Sequence, residues 1–347
     1  MQPSKRVTLR DIADVAGLSV AAVSKALRGL GDISPATRER VNEIAQQLGY
    51  RRDPALGALA MYRFQQTLES SGWQAIAFLH NWESLELLER AAFYRDLMRT
   101  LREEVMRRGF SFEPHSVGRN CENLPSVLRQ LRHRGVQGII LGPLPPTGEP
   151  LPIVVEDDSF EVVTLGPSDL YPQHHTVQSD YWENFQQLWR EVRARGYQRI
   201  GLYLPKETVW RTGGAWLGGY LEHQHQDKQI TVIPPLLHTH EDSGQFLRWF
   251  HRHQPDVVLS VNGWPVEWLR AEGLDVPGDA GVALIAVAGE PCTGIDALPE
   301  VLGTSAAEMA EVLLHRRIIR DRRNPTPLRM HVAGRWKEAG TLRPKSE

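Results

Sequence analysis

Apolar residues in the first fifty positions recur at three- and four-residue spacing and stop at residues that cap or turn a helix. Thr8-Leu9-Arg10-Asp11 reads as a capping-box start, followed by apolar Ile12, Ala13, Val15 and Ala16. Gly17 then supplies a tight turn that a β-carbon would resist. Ser19 caps a second helix that runs to about Arg28, with Val23 and Leu27 facing inward. A third opens at Ser34-Pro35, carries Val41, Ile44, Ala45 and Leu48 on one face, and ends at Gly49. Beyond Tyr50, residues 53–60 have a cap (Asp53) and a first-turn proline (Pro54), but so short a helix does not stand in water without a partner.

From Trp73 onward the pattern changes to short apolar runs alternating with longer amphipathic ones. Strands are predicted at 75–79, 110–115, 138–141, 161–165, 199–204, 231–233, 256–261 and 282–287. Helices are predicted at 85–108, 123–134, 180–195, 213–225, 242–253, 265–272 and 300–321. This alternation is that of βαβ units and parallel sheets. Residues 135–141 and 254–260 end similar helix-to-strand steps, which points to two like halves. The expected fold class is an all-α helix-turn-helix domain followed by an α/β core of two doubly wound subdomains.

Length and composition agree with this division. A chain of 347 residues suits two or three packed units, and 41% hydrophobic with 24% charged residues is ordinary for a globular protein. The net charge is only −2, but residues 1–63 hold ten basic against six acidic residues, net +4, leaving −6 on the remainder. A basic head on an acidic body suits a nucleic-acid contact confined to the head. The two cysteines, Cys121 and Cys292, match no metal or redox spacing, which is the usage of a reducing, cytoplasmic setting. Residues 1–6 lack the apolar stretch of a leader, and the longest apolar run, 282–288, is too short to span a bilayer, so no membrane association is expected.

Thirteen histidines invite a search for metal or catalytic sets. The pairs at 174/175, 223/225, 238/240 and 251/253 are adjacent or two apart, without acidic or cysteine companions at ligand spacing. They read as solvated or capping residues. With no nucleophile elbow, phosphate loop or dinucleotide fingerprint, neither catalysis nor a cofactor is expected.

In a helix-turn-helix the second helix enters the major groove, so its outward positions are small or polar. Val20, Ala21, Ser24 and Lys25 meet that demand, and Arg28 sits where it can reach phosphate. Ser19, Ser34, Thr37 and Arg38 add hydroxyl and guanidinium donors suited to backbone positioning. The same spacing also suits a three-helix subdomain with no nucleic-acid role. The residues 8–27, Thr-Leu-Arg-Asp-Ile-Ala-Asp-Val-Ala-Gly-Leu-Ser-Val-Ala-Ala-Val-Ser-Lys-Ala-Leu, closely resemble the N-terminal signature of the lactose repressor/galactose repressor family of bacterial regulators. The likeness continues through 33–41 and Leu48-Gly49-Tyr50, so that Thr8 and Tyr50 bracket the DNA-binding set.

The resemblance implies that Val20 and Ala21 contact base edges and that Lys25 stands where an arginine commonly reads a guanine. Lysine lacks the planar fork of arginine, which leaves its base preference open. It further implies that 53–60 is a hinge helix whose Leu59 wedges into the minor groove, with Leu56 in place of the usual alanine and Asp53 in place of a frequent asparagine. Without the resemblance, Leu56 and Leu59 read equally as packing residues.

The remainder resembles the family's periplasmic-binding-protein-like core, in which two subdomains enclose an effector. Asp180 then matches an aspartate that faces the effector, although it also suits a helix cap. Asn262 matches an asparagine at a strand end, although it also suits a turn. Trp216 replaces a usual arginine, with Arg211 five residues earlier, and Leu298 replaces a polar residue, with Asp296 nearby. Trp82, Trp216 and Trp264 are candidates to stack on a sugar from strand ends or loops, and the His80-Asn81-Trp82 loop joins them.

The expected organisation is a head at 1–51, a hinge at 52–64, a first subdomain at 73–195 plus 322–335, and a second at 196–321 plus 336–347. The expected partners are a palindromic double-stranded operator, a second copy of the chain in a homodimer, and a small-molecule effector, a sugar or glycoside. The rival reading is an α/β small-molecule-binding protein or hydrolase whose helical N-terminus mediates protein contacts.

Overall fold

The computed structural model describes residues 7–27, 33–50, 74–145, 151–167, 170–287, 289–318 and 326–345, leaving aside the side chains of 316–318. The head contains α1 (Leu9–Ala16), α2 (Val20–Leu27) and α3 (Pro35–Gln47). Its capping box forms in full: the Thr8 amide donates to Asp11 Oδ2 at 2.6 Å, and the Asp11 amide donates to Thr8 Oγ1 at 3.4 Å. Gly17, with φ 63°, closes α1 in the left-handed region, and the Leu18 amide returns to Ala13 O at 3.1 Å. Ser19 Oγ accepts from the Ala22 amide, and Ser34 Oγ accepts from the Thr37 amide, at 3.1 and 3.2 Å.

Ile12, Ala13, Ala16, Val23, Ala26, Val41 and Ala45 form a small core from mostly small side chains. The Arg40 guanidinium donates to the Ala16 carbonyl and ties α3 to the end of α1. Val15, grouped with the apolar positions of α1 on sequence, is 61% exposed, because it falls opposite the Ile12–Ala16 face.

The first lobe opens with β1 (Ala75–His80), α4 (Leu85–Leu88), α5 (Ala92–Arg107), β2 (Ser111–Ser116) and α6 (Leu124–His133). It continues through β3 (Gly138–Leu141), β4 (Glu161–Leu165) and β5 (His175–Ser179). The chain then passes to a second lobe through α7 (Tyr181–Arg193), β6 (Ile200–Pro205), α8 (Lys206–Arg211) and α9 (Ala215–Gln226). There follow β7 (Leu236–His238), α10 (Ser243–His253), β8 (Val257–Ser260), α11 (Trp264–Ala271), β9 (Gly281–Val287) and β10 (Gly294–Asp296). It returns to the first lobe for α12 (Pro299–Ile318) and β11 (Arg329–Val332), and crosses once more for β12 (Arg335–Lys337).

The sheets run β2-β1-β3-β4-β5-β11 and β7-β6-β8-β9-β10-β12, the same order twice. Every pairing is parallel except β10 with β12. Strand alternation sends Ile76 and Phe78 to one face, against Leu97 and Leu101 of α5 and Leu302 and Leu313 of α12. Ala77 and Leu79 go to the other, against Val127 and Leu131 of α6. In the second lobe Leu202, Leu204 and Leu259 meet Phe185 and Leu188 of α7, while Tyr203 and Val258 meet Phe246 of α10.

Two helices depart from the expected division. Residues 181–193 bury Phe185, Leu188, Trp189 and Val192 in the second lobe, not the first, and 299–318 packs on the first sheet, not the second. The cause is that the chain crosses between lobes at 179–181, 296–299 and 332–335, places where no break in periodicity marks a boundary. Hydrogen bonds bind two of these crossings together. The Asp180 amide donates to Val332 O at 2.8 Å, while buried Asn184 donates to Ser179 Oγ at 2.9 Å and accepts from the Gly334 amide at 2.7 Å.

The helix predicted at 85–108 is two helices, because Leu88, Leu97 and Met98 face one core and carry the periodicity across the extended backbone at Ala91. The segment 231–233 is not a strand. Its Ile233 carbonyl accepts from Tyr220 Oη and Gln224 Nε2, at 2.7 and 2.8 Å, and β7 starts three residues later. Strands β5, β10, β11 and β12 are short or polar and were not expected.

Candidate nucleic-acid interface and ligand cleft

The caps on α1, α2 and α3 hold the head so that one side of α2 stays clear. Val23 and Ala26 are buried, whereas Val20, Ala21 and Lys25 are exposed and Ser24 partly so. This face is small and apolar at its start and cationic near its end, a shape and charge that suit a groove floored by base edges and walled by phosphate. Ser19 and Ser34 sit exposed at the starts of α2 and α3, and Thr8 at the start of α1. Thr37 and Arg38 are partly buried in the first turn of α3, and Tyr50 lies partly packed on the head core. Arg28 and the hinge positions Asp53, Leu56 and Leu59 lie outside the described residues.

Between the lobes is a cleft of about 690 Å³, walled by residues that follow the carboxyl ends of strands from both sheets. Asn81 and Trp82 follow β1, Pro143 and Leu144 follow β3, and Asn262 follows β8. Open parallel sheets place ligands there, because strand-to-helix loops diverge on either side of the point where strand order reverses. Trp82 is buried, donates from Nε1 to Pro143 O at 2.7 Å and meets Tyr94 edge-on at 5.6 Å.

Across the cleft, Trp216 meets Tyr181 edge-on at 5.7 Å. Trp216 lies inside α9 rather than in a loop, since Gly213 and Gly214, both left-handed, end the preceding turn and the helix starts at Ala215. Arg211, the last residue of α8, bridges the lobes: its Nη2 donates to Tyr94 Oη at 2.6 Å and to Leu144 O at 3.2 Å. Burial pushes the Tyr181 phenol up to about 12, so the hydroxyl remains a donor at neutral pH.

The other expected effector residues, Asn262 apart, are not in the cleft wall. Asp180 caps α7 by accepting from the Glu183 amide at 3.0 Å, and Asp296 Oδ1 accepts from the Leu298 amide at 3.1 Å, supporting the left-handed φ of 52° at Leu298. Trp264 stacks on Trp268 at 6.2 Å. His80 is buried below the cleft wall, where desolvation lowers its pKa. Asn262 lines the cleft and also makes the turn, its Oδ1 accepting from the Trp264 amide at 3.3 Å.

Among the lining residues that went unnoticed in the sequence are Tyr94, Tyr181 and Asn184. Each belongs to the first or second turn of an amphipathic helix, and only the distance to the facing lobe distinguishes it from a core residue. The histidine pairs also differ from expectation. His174 and His238 are buried rather than solvated, the first accepting from the Val155 amide at 3.3 Å and the second stacked on Tyr203 at 4.2 Å. Among the described residues no cluster of three or more metal-ligating side chains occurs, and no helix is long and apolar enough to cross a membrane.

A capped three-helix head with an exposed second-helix face is joined in one chain to two like α/β lobes around a cleft, the build of a helix-turn-helix head on a ligand-binding type of core. Residues 8–53 match the family model "Bacterial regulatory proteins, lacI family". It is 28% identical over 223 residues to the maltose regulon regulatory protein MalI of Escherichia coli, a match spanning 63% of this chain and 60% of that protein. Its fold is similar to that of the transcriptional regulator CelR in a cellobiose complex, with TM-score 0.58, 21% identity, and coverage of 97% of this chain and 100% of that one. It is likewise similar to the lac repressor dimer bound to operator and the anti-inducer ONPF, with TM-score 0.58, 19% identity, and coverage of 98% and 100%.

Proposed function

We propose that the protein is a cytoplasmic, homodimeric repressor that reads a palindromic operator through α2 and releases or grips it according to a carbohydrate held between the lobes. The observation that carries this reading is the exposed Val20-Ala21-Lys25 face on a head whose three helix starts are all capped. A rigid head can present side chains to base edges without ordering them first. Dimerisation follows from the affinity a single short head lacks and a two-fold site supplies. The names of similar proteins, a maltose regulon regulator and a cellobiose complex, support a sugar as the effector class.

Control follows from the connections between lobes. A ligand that binds one lobe arrangement better than another shifts the population towards it, and the shift reaches the head through residues 53–60. Nothing in this scheme requires catalysis. The test is a gel shift with duplexes from the promoter beside its own gene. The intact chain binds one duplex far above random sequence, and Lys25→Ala removes most of that margin while leaving weak non-specific binding. Equal, weak binding of all duplexes by both proteins sinks the reading. For the hinge, Leu59→Gly lowers specific affinity more than non-specific affinity; equal losses remove the wedge.

A further inference from the structure

Three polar groups in the cleft wall lack the partners their burial demands. Asn81 is 1% exposed and donates from Nδ2 to Leu151 O at 3.1 Å, but its Oδ1 has no hydrogen-bond partner among the described residues. Trp216 is 7% exposed, and its Nε1 has none either. Arg211 is partly buried and spends Nη2 on two neutral acceptors, Tyr94 Oη and Leu144 O. No carboxylate among the described residues lies within ion-pair distance of it. Glu207, one turn earlier on the same helix and also in the cleft wall, does not reach it.

Each gap states what a ligand must bring. A buried acceptor needs a donor, a buried indole N–H needs an acceptor, and a partly buried guanidinium held only by neutral acceptors suits an anion. The Nε and Nη1 donors of Arg211 remain for single charge-assisted hydrogen bonds, which a carboxylate accepts. A hydroxyl both donates and accepts, so a polyhydroxylated ligand answers Asn81 and Trp216 together, and the tyrosine and tryptophan rings on both lobes suit the faces of a sugar ring.

Resting on the carbohydrate reading above, we infer that the effector is an acidic sugar, a uronic or aldonic acid, whose carboxylate binds Arg211 while its hydroxyls meet Asn81 Oδ1 and Trp216 Nε1. The ligand would touch both lobes, since Asn81 belongs to the first and Arg211 and Trp216 to the second. Binding and lobe closure are thereby the same event.

The test uses the full chain in calorimetric titrations with D-glucuronate, D-glucose and D-glucose 6-phosphate, and with cellobionate against cellobiose. In at least one pair the acid binds about tenfold tighter than its neutral parent, the scale of one charge-assisted hydrogen bond, and added salt narrows the gap. Arg211→Gln abolishes the preference, whereas Tyr94→Phe, which removes only the bridge to the first lobe, keeps it. The inference is overturned if neutral sugars bind as tightly as their acids, if only the phosphate binds, or if Arg211→Gln leaves the ratio unchanged. If no sugar of either kind binds while the chain still shifts its operator, the carbohydrate reading itself falls.

Discussion

The two lobes share one strand order but face the cleft with different chemistry. The first contributes most of the apolar wall, including Trp82, Phe93, Leu144 and Leu165, from the ends of β1, β3 and β4 and from α5. The second contributes Arg211, Tyr181, Trp216 and Asn262, groups able to direct a polar ligand, to which the first adds Asn81. What is duplicated is the scaffold that brings strand ends to one edge, and what differs is the loop and helix residues hung on it. Packing constrains the first set, because strand residues alternate into two cores; it leaves the second free to change.

The lobes also differ in how tightly their helices approach, and this orders the expected effects. Phe78→Ala in the first lobe and Leu259→Ala in the second each remove a fully buried side chain and cost about 2–5 kcal/mol in urea unfolding. Three crossings join the lobes, so each variant still unfolds in one transition; two resolved transitions in either would break the equivalence.

A smaller effect separates the two lobes' helix pairs. A β-carbon on Gly303 of α12 would lie 2.8 Å from Leu97 O and 2.9 Å from the Leu101 amide of α5, backbone that cannot rotate away. One on Gly219 of α9 would meet only the ring of Phe185 at 2.7 Å. Gly303→Ala therefore destabilises by about 1–3 kcal/mol, and Gly219→Ala by less, a ranking read from paired urea midpoints.

The smallest effect is on pH dependence. Burial lowers the pKa of His174 in the first lobe and of His238 in the second, so both fold in the neutral form. A group whose folded pKa is depressed contributes fully above its unfolded pKa and loses that contribution as pH falls towards the folded value. Stability therefore declines below about pH 6.5. His174→Gln, which retains an acceptor for the Val155 amide, and His238→Gln each flatten the decline in melting temperature. An unchanged slope in the double variant would assign the acid sensitivity to other groups.

How much the sequence revealed depended on the range of the interaction. The head was legible almost residue by residue, because Thr8 with Asp11, Ser34 with Thr37 and Gly17 act within three or four positions. The repeated sheets were legible as alternating patterns, since strands β3 and β8 have four buried positions each. Lobe membership was not, for α7 and α12 carry apolar residues that could pack on either sheet. Nor was the cleft: Asp180 suited a ligand contact or a cap alike and caps α7, while Tyr94, not singled out in the sequence, bridges the lobes.

The return of α12 and β11 to the first sheet bears on how the chain is made. The first lobe is built from residues 75–179 and 299–332, and the whole of the second lobe's parallel sheet lies between those pieces. A ribosome therefore releases β1 to β5 long before α12, which shares with α5 the cover of Ile76 and Phe78, exists. Until residue 318 emerges, the part of that apolar face under α12 is open to chaperones and to neighbouring nascent chains. A premature stop soon after β10 would leave the parallel strands of the second lobe complete and the first, although made earlier, without α12.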